Sequence, residues 1–102
     1  MGLDINKQDK RGSTPLHWAC YSQSEVALSY LVAWNPNLNL QDLEGFTPLH
    51  LAVKSVDQLN STRPVRYLLI RGARTDIRDK KNRLPSDLVK EIKNRDLQIE
   101  LN

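Results

Sequence analysis

The sequence predicts an all-α domain of stacked helix-turn-helix units, and three observations carry the prediction. The stretch STPLHWAC at 13–20 returns as FTPLHLAV at 46–53, with Thr14 and Thr47 33 residues apart. The likeness runs on upstream, where DKRGSTPLH (9–17) aligns with DLEGFTPLH (42–50). It also runs on downstream, where YLVAWNPNLNLQD (30–42) aligns with YLLIRGARTDIRD (67–79). A fixed period of this length marks a repeat array, whose units bury their apolar faces only by stacking.

The units divide the chain into 1–8, the tail of a preceding repeat; 9–41; 42–78, with a four-residue insertion; and 79–102, a degenerate capping unit. Thr14 and Thr47 are N-caps, with a side-chain oxygen for the free amides of a first helical turn. Pro15 and Pro48 follow at N1, where the missing N–H costs nothing. Leu16, Ala19 and Cys20 then share a face, as do Leu49, Ala52 and Val53. A second helix over 25–34 presents Ala27, Leu28, Leu31 and Val32 inward. Its counterpart begins at Ser61 or Thr62, has Pro64 in its first turn and turns Val65, Leu68 and Leu69 inward. Gly12 and Gly45 mark tight turns that call for positive φ, with Asn82 as the substitute in the third unit. Gly72 reads as the residue just past a helix end. The insertion at 56–60 reads as a lengthened loop. In the third unit Leu84 stands where the other units have Thr, and Asp87 where they have His, so the helix-entry chemistry reads as lost. Lys90, Glu91, Lys93, Asn94 and Arg95 make that end polar, as a terminal repeat requires.

The T-P-L-H-x-A wording at this period resembles the ankyrin repeat. The resemblance implies a solenoid whose helical pairs carry short β-hairpin fingers, and in which the motif's His bonds locally to the Thr and the entry loop. GLDIN at 2–6 is similar to that family's repeat tail, so the chain reads as part of a longer array. The resemblance also implies binding of a protein or peptide on the concave face of finger tips and inner helices. By position that face takes Lys10, Arg11, Ser13 and Tyr21 from the first unit, with Trp18 beside them. It takes Leu43, Glu44, Phe46 and Lys54 from the second, and Lys80, Lys81 and Arg83 from the third. Phe46 reads equally as an interface anchor or as a ring packed on its neighbouring finger. Trp18 reads as half-buried, its indole N–H toward solvent or a partner. The wording TPLHWACYSQS and the elongated second unit with RPVRYLLI are similar to the ankyrin region of DHHC-type protein palmitoyltransferases. That likeness implies an alternative role as a substrate-recruiting arm on the cytosolic side of a membrane, with acyl transfer done elsewhere.

Composition narrows the remaining classes. The net charge of +3 spreads over Lys and Arg interleaved with Asp and Glu, not the basic stripe that nucleic acid demands. No apolar run reaches the roughly 18 residues of a membrane span. One Cys and no signal-peptide pattern point to a cytoplasmic or nuclear setting, or to the cytosolic part of something larger, and the module is expected to be monomeric. His17 and Cys20 share a helical face, yet the second copy keeps the His and replaces the Cys by Val53, so both read as scaffold. No cofactor, metal or catalytic residue is expected. Asn60-Ser61-Thr62 reads as helix capping in place of a glycosylation site, and Asn39 as a turn residue bonding backbone.

Overall fold

In the first two units the first helix starts at a threonine whose side chain caps it. In the computed structural model, which describes residues 4–22, 24–99 and 101, Thr14 and Thr47 sit in extended backbone ahead of α1 (Pro15–Tyr21) and α3 (Pro48–Lys54). Each hydroxyl accepts from the amide of the His three residues on, and each His Nδ1 accepts the threonine amide at 3.1 Å. The two orphan donors of the helix entry are thus satisfied reciprocally. Gly2 of the preceding tail lies outside the described residues.

A second helix follows in each of the first two units: α2 (Glu25–Val32), capped by Ser24, and α5 (Arg63–Ile70), preceded by Ser61, which accepts the Arg63 amide at 3.1 Å. The insertion is not a loop. Val56–Leu59 forms a one-turn helix, α4, ended by Asn60 in the left-handed region at φ 52°. Val56 is fully buried, and its apolar contact explains why the added residues coil against the core. Asp57 on α4 accepts the amides of Lys93 and Asn94 at 2.8 and 3.1 Å, which ties the insertion to the C-terminal segment. The third unit supplies α6 (Pro85–Val89) and a 3₁₀ turn at Arg95–Leu97.

α1 packs on α2 and α3, α3 on α5 and α6, and α2 on α5. Leu16, Leu28, Leu49, Leu68 and Leu88 form the buried spine between them. The body is elongated, 45 × 28 × 21 Å.

The fingers contain no strand among the described residues, so the expected β-hairpins are turns. The reason is visible in their bonding. Asp9 Oδ1 accepts the amides of Arg11 and Ser13, both at 2.9 Å, and Asp42 and Asp79 do the same for Glu44 and Phe46 and for Lys81 and Arg83. A carboxylate closes each tip, leaving too few backbone pairs for a ladder. Gly12, Gly45 and Asn82 hold the positive φ angles at 75°, 81° and 63°. Gly45 is needed twice over, since a Cβ there would lie 2.6 Å from the Lys80 nitrogen of the next finger.

Candidate interaction surface

The histidine that recurs in each complete unit does more than its local bond. His17 Nε2 reaches the Phe46 carbonyl at 2.8 Å, and His50 Nε2 reaches the Arg83 carbonyl at 3.0 Å. With Nδ1 accepting an amide, Nε2 carries the proton and donates, which defines the neutral tautomer. The expected local role is therefore half of the role: each ring joins its helix entry to the next finger. Burial holds His50 below the usual imidazole range, only partly offset by its bond to Arg83.

These links set the fingers over the inner helices and open a groove of about 660 Å³ between them. Finger one contributes Arg11 and Ser13, finger two Leu43, Glu44 and Phe46, α1 Trp18 and Tyr21, and α3 Lys54. Lys10, Lys80, Lys81 and Arg83 are not in its lining. Lys80 and Lys81 are exposed. Arg83 is committed to Asp79 at 2.9 Å and approaches Glu91 at 3.8 Å. Burial pushes the Asp79 carboxyl up, but the Arg83 amide and guanidinium outweigh it and hold the group below its ordinary range.

Phe46 is half-buried against the core, 5.8 Å from the His50 ring, with Lys54 Nζ 4.4 Å above its face. It packs within the domain, and its outer face is a seat for Lys54. That lysine has no acidic partner among the described residues, so its charge is available to the groove. Tyr21 and Leu43 are 63% and 57% exposed, although they lie inside a concavity. The Trp18 indole N–H points neither to solvent nor outward: it donates to Asp9 Oδ2 at 2.7 Å, and the ring meets Tyr21 edge-on at 5.8 Å. That bond is the first cause of the lowered Asp9 carboxyl, followed by the Ser13 amide. The finger aspartates were missed in the sequence because an Asp at a turn reads as polarity; their i+2 and i+4 amide spacing was the available signal.

Cys20 is buried, and burial pushes its thiol up to about 12. A thiol so protonated fills space and is no nucleophile at neutral pH. Among the described residues no three His, Cys, Asp or Glu side chains gather as a metal site.

Tandem helical pairs joined through their fingers define a repeat-built protein with an open groove. A family model for ankyrin repeats, three copies, matches residues 1–79, and the chain belongs to the ankyrin repeat family. No curated protein matches the chain. Ankyrin repeats generally serve as protein-interaction modules. No helix among the described residues is long and apolar enough to cross a membrane.

Proposed function

We propose that this domain is a non-catalytic protein-binding module that holds a peptide or loop of a cytoplasmic partner in the groove between the first two fingers and helices α1 and α3. The observation that carries the reading is the exposure of Tyr21 and Leu43 inside a concavity, beside Lys54, which sits over the Phe46 ring and has no acidic partner among the described residues. Exposed aromatics in a groove are the usual anchors of an interface. The core does not require these side chains. A matching partner segment offers an apolar side chain to Trp18, Tyr21 and Leu43, and a carboxylate to Lys54 and Arg11. Lys10, Lys80 and Lys81 lie along the finger tips, where they raise the on-rate of an acidic partner.

Selection of a displayed random-peptide library on the intact chain tests the assignment. Selected peptides are expected to be apolar and acidic and to lose binding to Y21A/L43A, while V26A, changed on the outer helix, still binds. Binders indifferent to Y21A/L43A at unchanged urea midpoint overturn the groove. The LHWA wording favours one second reading, in which the same groove recruits substrates for a palmitoyltransferase. A hydrophobic, Cys-rich D-H-H-C segment in the parent gene decides it.

A further inference from the structure

The two outer helices, α2 and α5, pack on each other and differ on the side they turn away from the core. By their alignment Val26 stands where Arg63 does, Ser29 where Arg66 does, Ala33 where Ile70 does, and Trp34 where Arg71 does. All of these residues are exposed. A surface helix ordinarily turns charge to solvent. α5 does so through Arg63 and Arg66. α2 does not: Leu28 and Val32 fill its inner side, while Val26 stands 81% exposed on its outer one. At the other end of the pair Ile70 is 80% exposed and Trp34 63%. The core requires none of these three side chains.

The charge on this face has one prevailing sign. Arg63 lies 3.8 Å from Glu25, the one acidic residue of either helix. Arg66 and Arg71 have no acidic partner among the described residues. Just downstream, Asp76 is engaged by Arg74 at 2.7 Å. Uncommitted cations thus stand among exposed apolar groups. Val26, Arg63, Arg66, Ile70 and Arg71 line neither the groove nor the cavity beside Trp18 and Tyr30. The anchors of a protein interface sit in recesses from which water is excluded. A lipid surface needs no recess, because headgroups and upper acyl chains mould to the apolar groups presented to them.

We propose that the outer face of α2 and α5 is a peripheral docking surface for an anionic lipid bilayer. Arg63, Arg66 and Arg71 pair with the lipid phosphates and carboxylates. Arginine suits that contact because its planar fork meets two oxygens at once. Val26, Ile70 and Trp34 enter the boundary between headgroups and acyl chains, where a tryptophan ring is favoured. The helices lie on the surface, and none is long and apolar enough to cross it among the described residues. No residue of this face lines the groove, so a lipid-bound domain keeps its groove open to a protein partner.

The test is sedimentation of the intact chain with phosphatidylcholine vesicles, with and without phosphatidylserine. Binding is expected only where phosphatidylserine is present, and is expected to weaken as salt rises. A basic residue near an anionic surface is worth about fivefold in partitioning, so R66Q/R71Q is expected to lose about 25-fold. V26S/I70S is expected to lose binding several-fold, which attraction between charges alone would not produce. K80Q/K81Q removes the same charge from a finger tip and is expected to stay within about twofold of the unmodified chain. Each variant changes exposed side chains only, and an unchanged urea midpoint checks the fold. Absence of phosphatidylserine-dependent sedimentation overturns the proposal. So does an equal loss in K80Q/K81Q and R66Q/R71Q, or full binding by V26S/I70S. A chain that ignores the vesicles yet binds an amphipathic helical peptide of Glu and Leu, with loss in R66Q/R71Q, makes an acidic protein segment the occupant and equally overturns it.

Discussion

The helix entries of the second and third units are built on the same frame and do different work. Thr47 and His50 close the entry of α3 with two reciprocal bonds, and His50 then reaches out to Arg83. At α6 the residues are Leu84 and Asp87. Asp87 Oδ2 still accepts the Leu84 amide at 2.8 Å, but Leu84 has no side-chain oxygen to return the bond. The entry chemistry expected to be lost is therefore half retained. What disappears is the donor that would cross to a further finger. A carboxylate is sufficient where a unit only has to hold itself; an imidazole, with one acceptor and one donor nitrogen, is needed where a unit must also hold its neighbour.

The sharpest way to break this comparison is at the junction itself. G45A is expected to be the most damaging substitution, at about 3 kcal/mol or more, because it combines positive φ with contact to the Lys80 backbone. G72A, at φ 90° but with open space around it, costs about 1 kcal/mol, and urea midpoints compare the two. Next, H50A leaves the buried Thr47 amide without its partner and removes the bond across to the Arg83 carbonyl, which keeps only the Asp79 amide, for a loss of about 2–4 kcal/mol in the same measurement. L84T completes the third entry and is expected to stabilise by about 0.5–1 kcal/mol, the worth of a cap less the apolar contact given up. No gain would mean that Leu84 contributes more through packing than a cap can.

The pH dependence sharpens the same point. In the unfolded chain His50 titrates near its ordinary value of 6.5, and in the fold it titrates lower. The unfolded state thus binds the proton first as pH falls. Stability is fully present above about pH 6.5 and declines below it, toward the lowered folded value. H50Q is expected to flatten this part of the curve, and an unaltered slope would assign it to another group. The smallest effect expected is from D57N, which weakens the bonds to the Lys93 and Asn94 amides. Faster exchange of those two amides, with little change in global stability, is the check.

Much of the frame was legible because it rests on local rules. Thr14, Pro15 and Leu16 start a helix whatever surrounds them, and a glycine or asparagine at 12, 45 and 82 follows from the sign of φ alone. The insertion at 56–60 was misread since a single helical turn has no periodicity to detect, and only the buried Val56 reveals it. Trp18 was misdirected for a similar reason, its partner Asp9 being nine residues away on a finger. The groove residues Arg11, Ser13, Trp18, Tyr21, Leu43, Glu44, Phe46 and Lys54 were reachable by position within the repeat, whereas Lys10, Lys80, Lys81 and Arg83 share that position and lie outside the lining.

By itself the sequence determined the repeat, the starts of the helices and the apolar positions, since each depends on residues within one turn of one another. Only the tertiary structure decided which nitrogen of His17 and His50 crosses to the next unit, that Phe46 turns inward under Lys54, and that Tyr21 and Leu43 remain uncovered. Those outcomes depend on how neighbouring units come together, and the histidine links alone span 29 and 33 positions. How the units stack is a quantity no local pattern contains.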